Sequence, residues 1–350
     1  MTIESARQGP VTDWKLRNLN HLRFLFALSV ALSHALAILD PDGFILARTI
    51  LNSDASVQGF FILSGGLVVA SFERNPDTRA FYTRRLARIF PAYLLAVLVF
   101  ALAGIASAYL HGRSVGIADV AGYFAANFAT LNFLHPQIDG VFADNPLTVI
   151  NGALWSIKVE LMFYVAVPLV VWLIKRIGLW PVLVAMILCG TLWWPMVEYA
   201  SSAYGRLPPE SLRYQLPGQL HYFAIGIGLF QFGRRRQPMS MIALVIMSEA
   251  LFLLTGGSDM LGRTTVLTAL IMGATMLPQM PGPTKDGDDI SYGLYLVHFP
   301  LAQLLLENGV ASSTPILFAV LVAFGSLAWG MFSWRTVERP ALDWVAKRRA

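Results

Sequence analysis

What most constrains this chain is a succession of apolar segments, each long enough to form a membrane-crossing helix. A helix needs roughly 17–25 predominantly apolar residues to cross a hydrocarbon core about 30 Å thick. Ten such segments stand near residues 22–40, 55–72, 90–110, 154–174, 180–200, 219–233, 240–256, 263–280, 290–307 and 314–334. Only 13% of the 350 residues are charged, against about 25% in globular domains. A water-soluble fold of this composition lacks the polar surface to cover itself, and disorder needs the opposite balance. The expectation is an all-α polytopic membrane protein.

An eleventh segment, 117–134, carries Asp119 and Asn127, and the distribution of cations decides how to treat it. With ten spans and the N-terminus cytoplasmic, twenty of the 26 Lys and Arg fall on the cytoplasmic side. Only Arg48, Arg113, Arg206, Arg213 and Arg263 lie outside, and Lys158 lies within a span. Letting 117–134 cross would invert everything after it and move eleven cations outward. The positive-inside rule therefore predicts about ten transmembrane helices, both termini cytoplasmic, with a re-entrant or interfacial helix near 117–134.

One domain over 1–350 follows, with a cytoplasmic tail at 1–21, a helical bundle over 22–334 and a basic cytoplasmic tail at 335–350. The N-terminus reads as an uncleaved tail before a signal-anchor helix. The net charge of +5 belongs to the loops, so nucleic acid is not an expected partner. The single Cys189, expected as a small buried hydrophobe, rules out disulfide frameworks, iron–sulfur centres and thiolate zinc sites. No internal repeat of the kind many transporters carry is apparent.

Ionisable groups inside spans are costly and are functional by default. On the first span Arg23 and His34 are eleven residues apart, which places both side chains on one helix face about 16 Å apart along the axis. A helix-packing histidine is the bland alternative for His34. In LWSIKVELMFY, Ser156, Glu160 and Tyr164 recur every four residues and share a face; Lys158 points away and is expected to snorkel outward. In SYGLYLVHFP, Ser291, Tyr295 and His298 align. Glu198, His221 and Glu249 fit structural roles better. In RRLARIFPAY, Arg85 and Arg88 present two guanidinium groups from one turn, the geometry that suits phosphate, although orientation alone also demands basic loops. Ser64, Gly65 and Gly66 mark either a close helix contact or a polar notch for a ligand chain.

In order, these segments resemble the integral-membrane acyltransferase-3 family, which includes bacterial O-acetyltransferases of surface polysaccharides. Arg23 and His34 match its Arg-x10-His pattern, GFFILSGGL its FFxxSG signature, and Arg85 with Arg88 its Arg-x-x-Arg element. LWSIKVELMFY, SYGLYLVHFP and the closing VERP with Glu338 complete the series. Gly66 departs from the aromatic residue common after the SG pair, and Lys158 from a small or neutral slot. No hydrolase-like domain follows the tenth segment in this sequence.

The resemblance implies an acyl-coenzyme A donor, commonly acetyl, entering from the cytoplasm of a bacterial inner membrane, and a carbohydrate hydroxyl as acceptor. Arg23, Arg85, Arg88 and Ser64 are expected to bind the donor. His34 is expected to act as general base with Glu160 orienting it; a covalent acyl-His34 intermediate is the competing route. Ser156, Tyr295 and His298 are the expected oxyanion or substrate contacts, and no metal is expected. A proton-coupled exporter or flippase is the alternative of a different class.

Overall fold

A computed structural model of the chain describes residues 16–40, 42–205, 212–255, 262–278, 288–310 and 314–348. The tail before residue 16, Arg206 and Lys285 lie outside the described residues. The described chain is helical, with no strand. Its elements are α1 (Leu16–Leu39), α2 (Ile45–Ile50), α3 (Ser53–Arg74), α4 (Thr78–Leu110), α5 (Ile117–Phe128), α6 (Trp155–Ile177) and α7 (Leu179–Ala203). They continue with α8 (Leu216–Arg234), α9 (Pro238–Leu254), α10 (Arg263–Met276), α11 (Ser291–Glu307), α12 (Pro315–Ser333) and α13 (Arg339–Lys347).

Each of the ten apolar segments became a helix, but they are not equivalent. Among the described residues six helices are long and apolar enough to cross a membrane: α1, α3 with α2 before it, α4, α6, α7, and α12 with its continuation. The helix α10 has 14 residues, about 21 Å at 1.5 Å per residue, shorter than the hydrocarbon core. Its segment was expected to run to 280, but the backbone turns extended at Leu277. The segment at 117–134, for which a re-entrant or interfacial helix is expected, holds α5, whose 12 residues run about 18 Å, also shorter than the hydrocarbon core. The exterior carries large apolar side chains such as Val165, Leu169 and Phe324, 57–68% exposed. That much unsatisfied apolar surface belongs against lipid, and the chain is a multi-pass integral membrane protein.

Local chemistry sets the helix ends near the site. Asn52 caps α3 by accepting from Ala55 N at 2.8 Å, and Asp77 caps α4 through Ala80 N at 3.0 Å, supplying partners to amides the first turn leaves orphaned. Gly178, at φ 95°, closes α6, a conformation that costs glycine nothing. The connection before α6 is tied to α11: Asn151 donates to Leu296 O at 2.8 Å, and Asn145 to Gln303 Oε1 at 3.0 Å.

The tightest helix contact is α3 on α8. A methyl on Gly226 would overlap the Ile62 carbonyl, and one on Gly65 would overlap the Phe223 carbonyl. Both helices therefore meet backbone to backbone, as small residues permit in membranes. Between α12 and α13 a π-turn, Trp334–Glu338, widens the helix and delivers the fully buried Glu338 to the interior. Cys189 is exposed on α7 rather than buried: it faces the apolar exterior, where a weakly polar thiol is tolerated as readily as in a core.

Candidate active site

A cavity of about 290 Å³ opens between α1, α3, α4, α6 and α11. Arg23, Ser64, Arg85, Arg88, Ser156, Glu160 and Tyr295 all line it, so seven of the nine residues singled out in the sequence meet in one place. The helical spacing explains this. Ser156, Glu160 and Tyr164 do share a face and it is the cavity face, as is that of Ser291 and Tyr295.

At one end lie the arginines. Arg88 donates to Glu338 Oε2 at 2.9 Å and to Asp289 Oδ2 at 2.7 Å, and Arg23 reaches the same Asp289 oxygen at 3.2 Å. Burial works to raise the Asp289 carboxyl, but the Arg88 and Arg23 guanidinium groups and Ser291 overcome it and hold the group below the usual carboxylate range. Arg85 differs. Its guanidinium stacks over Phe81 at 5.6 Å and Tyr164 at 5.4 Å, and no carboxylate pairs with it among the described residues. Arg85 and Arg88 thus share a turn and a cavity, as expected, but differ in their partners: Arg88 is paired with Glu338 and Asp289, and Arg85 rests on aromatic rings. The reason is that helix spacing shows which cations share a turn but not which anions fold against them.

Midway, Glu160 Oε1 accepts from Tyr164 OH at 2.5 Å and from Ser64 Oγ at 3.1 Å. Farther along, Ser156 Oγ and Tyr295 OH lie 2.6 Å apart, and each is 3.1 Å from Ala153 O. One hydroxyl proton must go to that carbonyl and the other into the shared bond. Neither is free to meet an oxyanion until the pair rearranges.

His34 does not line this cavity, although it leaves the same helix as Arg23. It lies beyond Tyr295, half-buried, with Nδ1 at 2.9 Å from Nε2 of the fully buried His298. The expected Glu160 partner is therefore corrected to His298, since Glu160 is engaged on α3 and its own helix. The pairing fixes the tautomers. His298 Nδ1 lies 2.6 Å from Tyr295 O, and a carbonyl only accepts, so Nδ1 carries the proton. With His298 neutral, its Nε2 accepts from His34 Nδ1–H, which leaves His34 Nε2 as a bare lone pair. Phe60, which also lines the cavity, stands edge-on 5.9 Å from the Tyr295 ring, and it is the Tyr295 ring that adjoins His298 at 5.4 Å.

Lys158 does not snorkel: at 7% exposure it donates to Gln215 Oε1 at 2.8 Å and faces the Phe133 ring. Glu249 accepts from Gly262 N and Thr265 N, a capping role, and Glu198 is exposed. Sequence reasoning passed over Asp289, Tyr292 and Arg84, which also line the cavity. The signal was present in DDISYG: carboxylates at the end of an apolar segment, level with Arg23, are the natural counter-charges for buried cations.

These features define an integral-membrane transferase in which a cationic pocket runs into the bundle toward a tautomer-fixed histidine pair. The chain belongs to the acyltransferase-3 family, whose acyltransferase domain model matches residues 16–335. It is similar to Nodulation protein 10 of Rhizobium leguminosarum bv. viciae, at 26% identity over 358 residues and 93% of each chain. No solved structure matches it.

Proposed function

We propose that this acyltransferase moves an acyl group, acetyl in the simplest case, from acyl-coenzyme A on the cytoplasmic side to a hydroxyl of an extracytoplasmic or lipid-linked carbohydrate. The proposal includes a bacterial inner-membrane location and ten spans with both termini cytoplasmic, the shorter helices α8 and α11 crossing largely inside the bundle and α9 and α10 at its apolar edge. One observation carries it: a single cavity has guanidinium groups at one end and at the other adjoins His298 and His34 through the Tyr295 ring.

The phosphates of the donor are too strongly hydrated to enter lipid. They stay at Arg85, with Arg23 and Arg88 shaping the rim, while the slender pantetheine arm follows the cavity. Its amide N–H groups meet Glu160 and Ser64. His34 Nε2 takes the proton of the acceptor hydroxyl as that oxygen attacks the thioester carbonyl. The C–O bond forms, the C–S bond breaks, and the coenzyme thiolate takes the proton from His34. His298 acts as a positioning residue, holding the His34 tautomer that leaves the base lone pair available.

The test is acyl transfer from radiolabelled acetyl-coenzyme A in membranes carrying the full chain. His34→Ala should abolish transfer while coenzyme A still binds, and full transfer by a folded His34→Ala chain would refute the role.

A further inference from the structure

At the end of the bundle away from the arginines, two more cavities meet at Asp54. One, about 230 Å³, is lined by Asp54, Gln58, Trp155, Arg213, Tyr214 and Gln219, with Arg263 beside them. The other, about 300 Å³, has Ser33, Arg48, Asn52 and Asp54 around it. Ser33 directly precedes His34, so the second chamber borders the turn of α1 that carries the base.

Their chemistry differs from that of the donor cavity. Trp155 and Tyr214 stand 4.8 Å apart between ring centroids, inclined at 51°, and give the first chamber an angled aromatic wall of which the larger flat face is the Trp155 ring. Around it are amide and carboxylate groups with unspent capacity. Gln58 Oε1 accepts from Arg263, and Gln219 Nε2 donates to Arg213 O. Gln58 Nε2, Gln219 Oε1 and the Asp54 carboxylate have no protein partner among the described residues. Gln58 and Gln219 are each only 6% exposed. Their free amide atoms are not sealed from solvent, so a ligand hydroxyl that enters the chamber can bond to them. A flat apolar face rimmed by unspent donors and acceptors is the complement of a sugar ring, which has a C–H face and an equatorial belt of hydroxyls. Trp155 also packs edge-on to Phe61 at 6.1 Å, and Phe61 lines the donor cavity, so this ring pair is the partition between the two sites.

We propose that the two chambers form the acceptor cleft for a hydroxyl-rich glycan of more than one ring. One ring stacks on Trp155 with its hydroxyls at Gln58, Gln219 and Asp54. The next lies beside Ser33, bringing its hydroxyl to the His34 end of α1. This rests on the acyl-transfer reading and adds to it where the acceptor binds.

The experiment uses a strain deleted for the gene and complemented with the full chain, and reads acyl esters on surface glycans by mass spectrometry. Binding of free coenzyme A to each purified chain in nanodiscs is measured in parallel. Trp155→Leu should lower the acyl ester at least tenfold with coenzyme A affinity within twofold. In a second arm, Asp54→Cys in a Cys189→Ser background is labelled with a membrane-impermeant maleimide, which should block transfer equally without disturbing coenzyme A. The exposed Asp54 position tolerates this change where Trp155→Leu fails to accumulate. Undiminished acylation after complete labelling, or loss of coenzyme A binding together with acylation, overturns the cleft. The unmutated chain is the separate control: if it restores no glycan acyl ester, the acyl-transfer reading fails, whatever the cleft variants do.

Discussion

Replacing Arg88 and Arg85 one at a time by methionine separates two roles that the sequence presents as one. Arg88 makes ion pairs at 2.9 Å to Glu338 and 2.7 Å to Asp289, and the side chains are 19%, 0% and 11% exposed. In Arg88→Met, Asp289 still has Arg23 and Ser291, but Glu338 is left with Ser333 alone, at 2.8 Å. The loss should therefore be that of one broken buried pair, about 3–5 kcal/mol, and not twice that. Arg85 contributes only ring stacking to the fold, about 0.5–1 kcal/mol per contact, yet holds the donors free for phosphate. Arg85→Met should melt nearly as the parent does while losing about 1.5–3 kcal/mol of coenzyme A binding, the worth of a charged hydrogen bond, or roughly 10–150-fold in Kd. Thermal unfolding in detergent and calorimetric titration with coenzyme A read the two quantities independently. Adding Glu338→Gln to Arg88→Met should recover much of the stability by removing the stranded charge. Equal effects of the two single variants in both assays, or a melting loss at Arg85 with unchanged affinity, would refute this division.

Other consequences can be checked in the same preparations. Gly226→Ala drives a methyl into the Ile62 carbonyl of α3, and overpacking of that kind should cost about 1–3 kcal/mol or more, read as a lowered melting temperature with both helices intact by circular dichroism. His298→Phe removes the acceptor for His34 Nδ1 and should slow transfer on the order of a hundredfold with coenzyme A affinity unchanged; an unaltered rate would sink the positioning role. Phe60→Trp should fill the passage between cavity and imidazoles, abolishing transfer while the donor still binds. For Asp289, the folded-state pKa lies below the ordinary value near 3.8, so its stabilisation is fully present above that value and is lost as pH falls through the lower, folded one. Acid titration of melting should show this limb, and Asp289→Asn should erase it.

The helical class was legible because it depends on period and length, and many of the lining residues because helix spacing puts them on one face. Ser156, Glu160 and Tyr164 needed only the 3.6-residue repeat to fall together. Partner choice across helices was not legible. That Glu160 serves α3 and not His34, or that Arg88 is neutralised by residues 201 and 250 positions away, depends on how helices rotate and cross. Packing of small residues fixes those rotations: Gly65 and Gly226 set the separation of α3 and α8, and α3 brings Ser64 to Glu160. Nor does a shared helix face decide which cavity a side chain enters: Arg23 and His34 leave the same face of α1, yet only Arg23 lines the donor-side cavity.

That division has a physical purpose in a protein that spans a membrane. Arginines, Glu160 with its hydroxyl donors, the histidine pair and the Asp54 cleft form a nearly continuous polar column from one end of the bundle to the other. Hydroxyls and imidazoles both accept and donate, so an unbroken run of them with water across a bilayer would pass protons. Two edge-on ring pairs stand along the column, Phe60 with Tyr295 at 5.9 Å and Phe61 with Trp155 at 6.1 Å, and we expect these to seal it. Both seals lie where the donor cavity meets its neighbours. A thioester arm that displaces Phe60 takes the place of the ring as it advances, so the column opens only while the substrate plugs it. In the proposed reaction the acyl group would then pass toward the acceptor with neither the nucleotide nor free protons following. Substituting small residues at both rings, Phe60→Ala with Phe61→Ala, should therefore make vesicles carrying the chain leak protons in the absence of donor, and added acyl-coenzyme A should reduce the leak. Tight vesicles in that variant would show that the seal resides elsewhere.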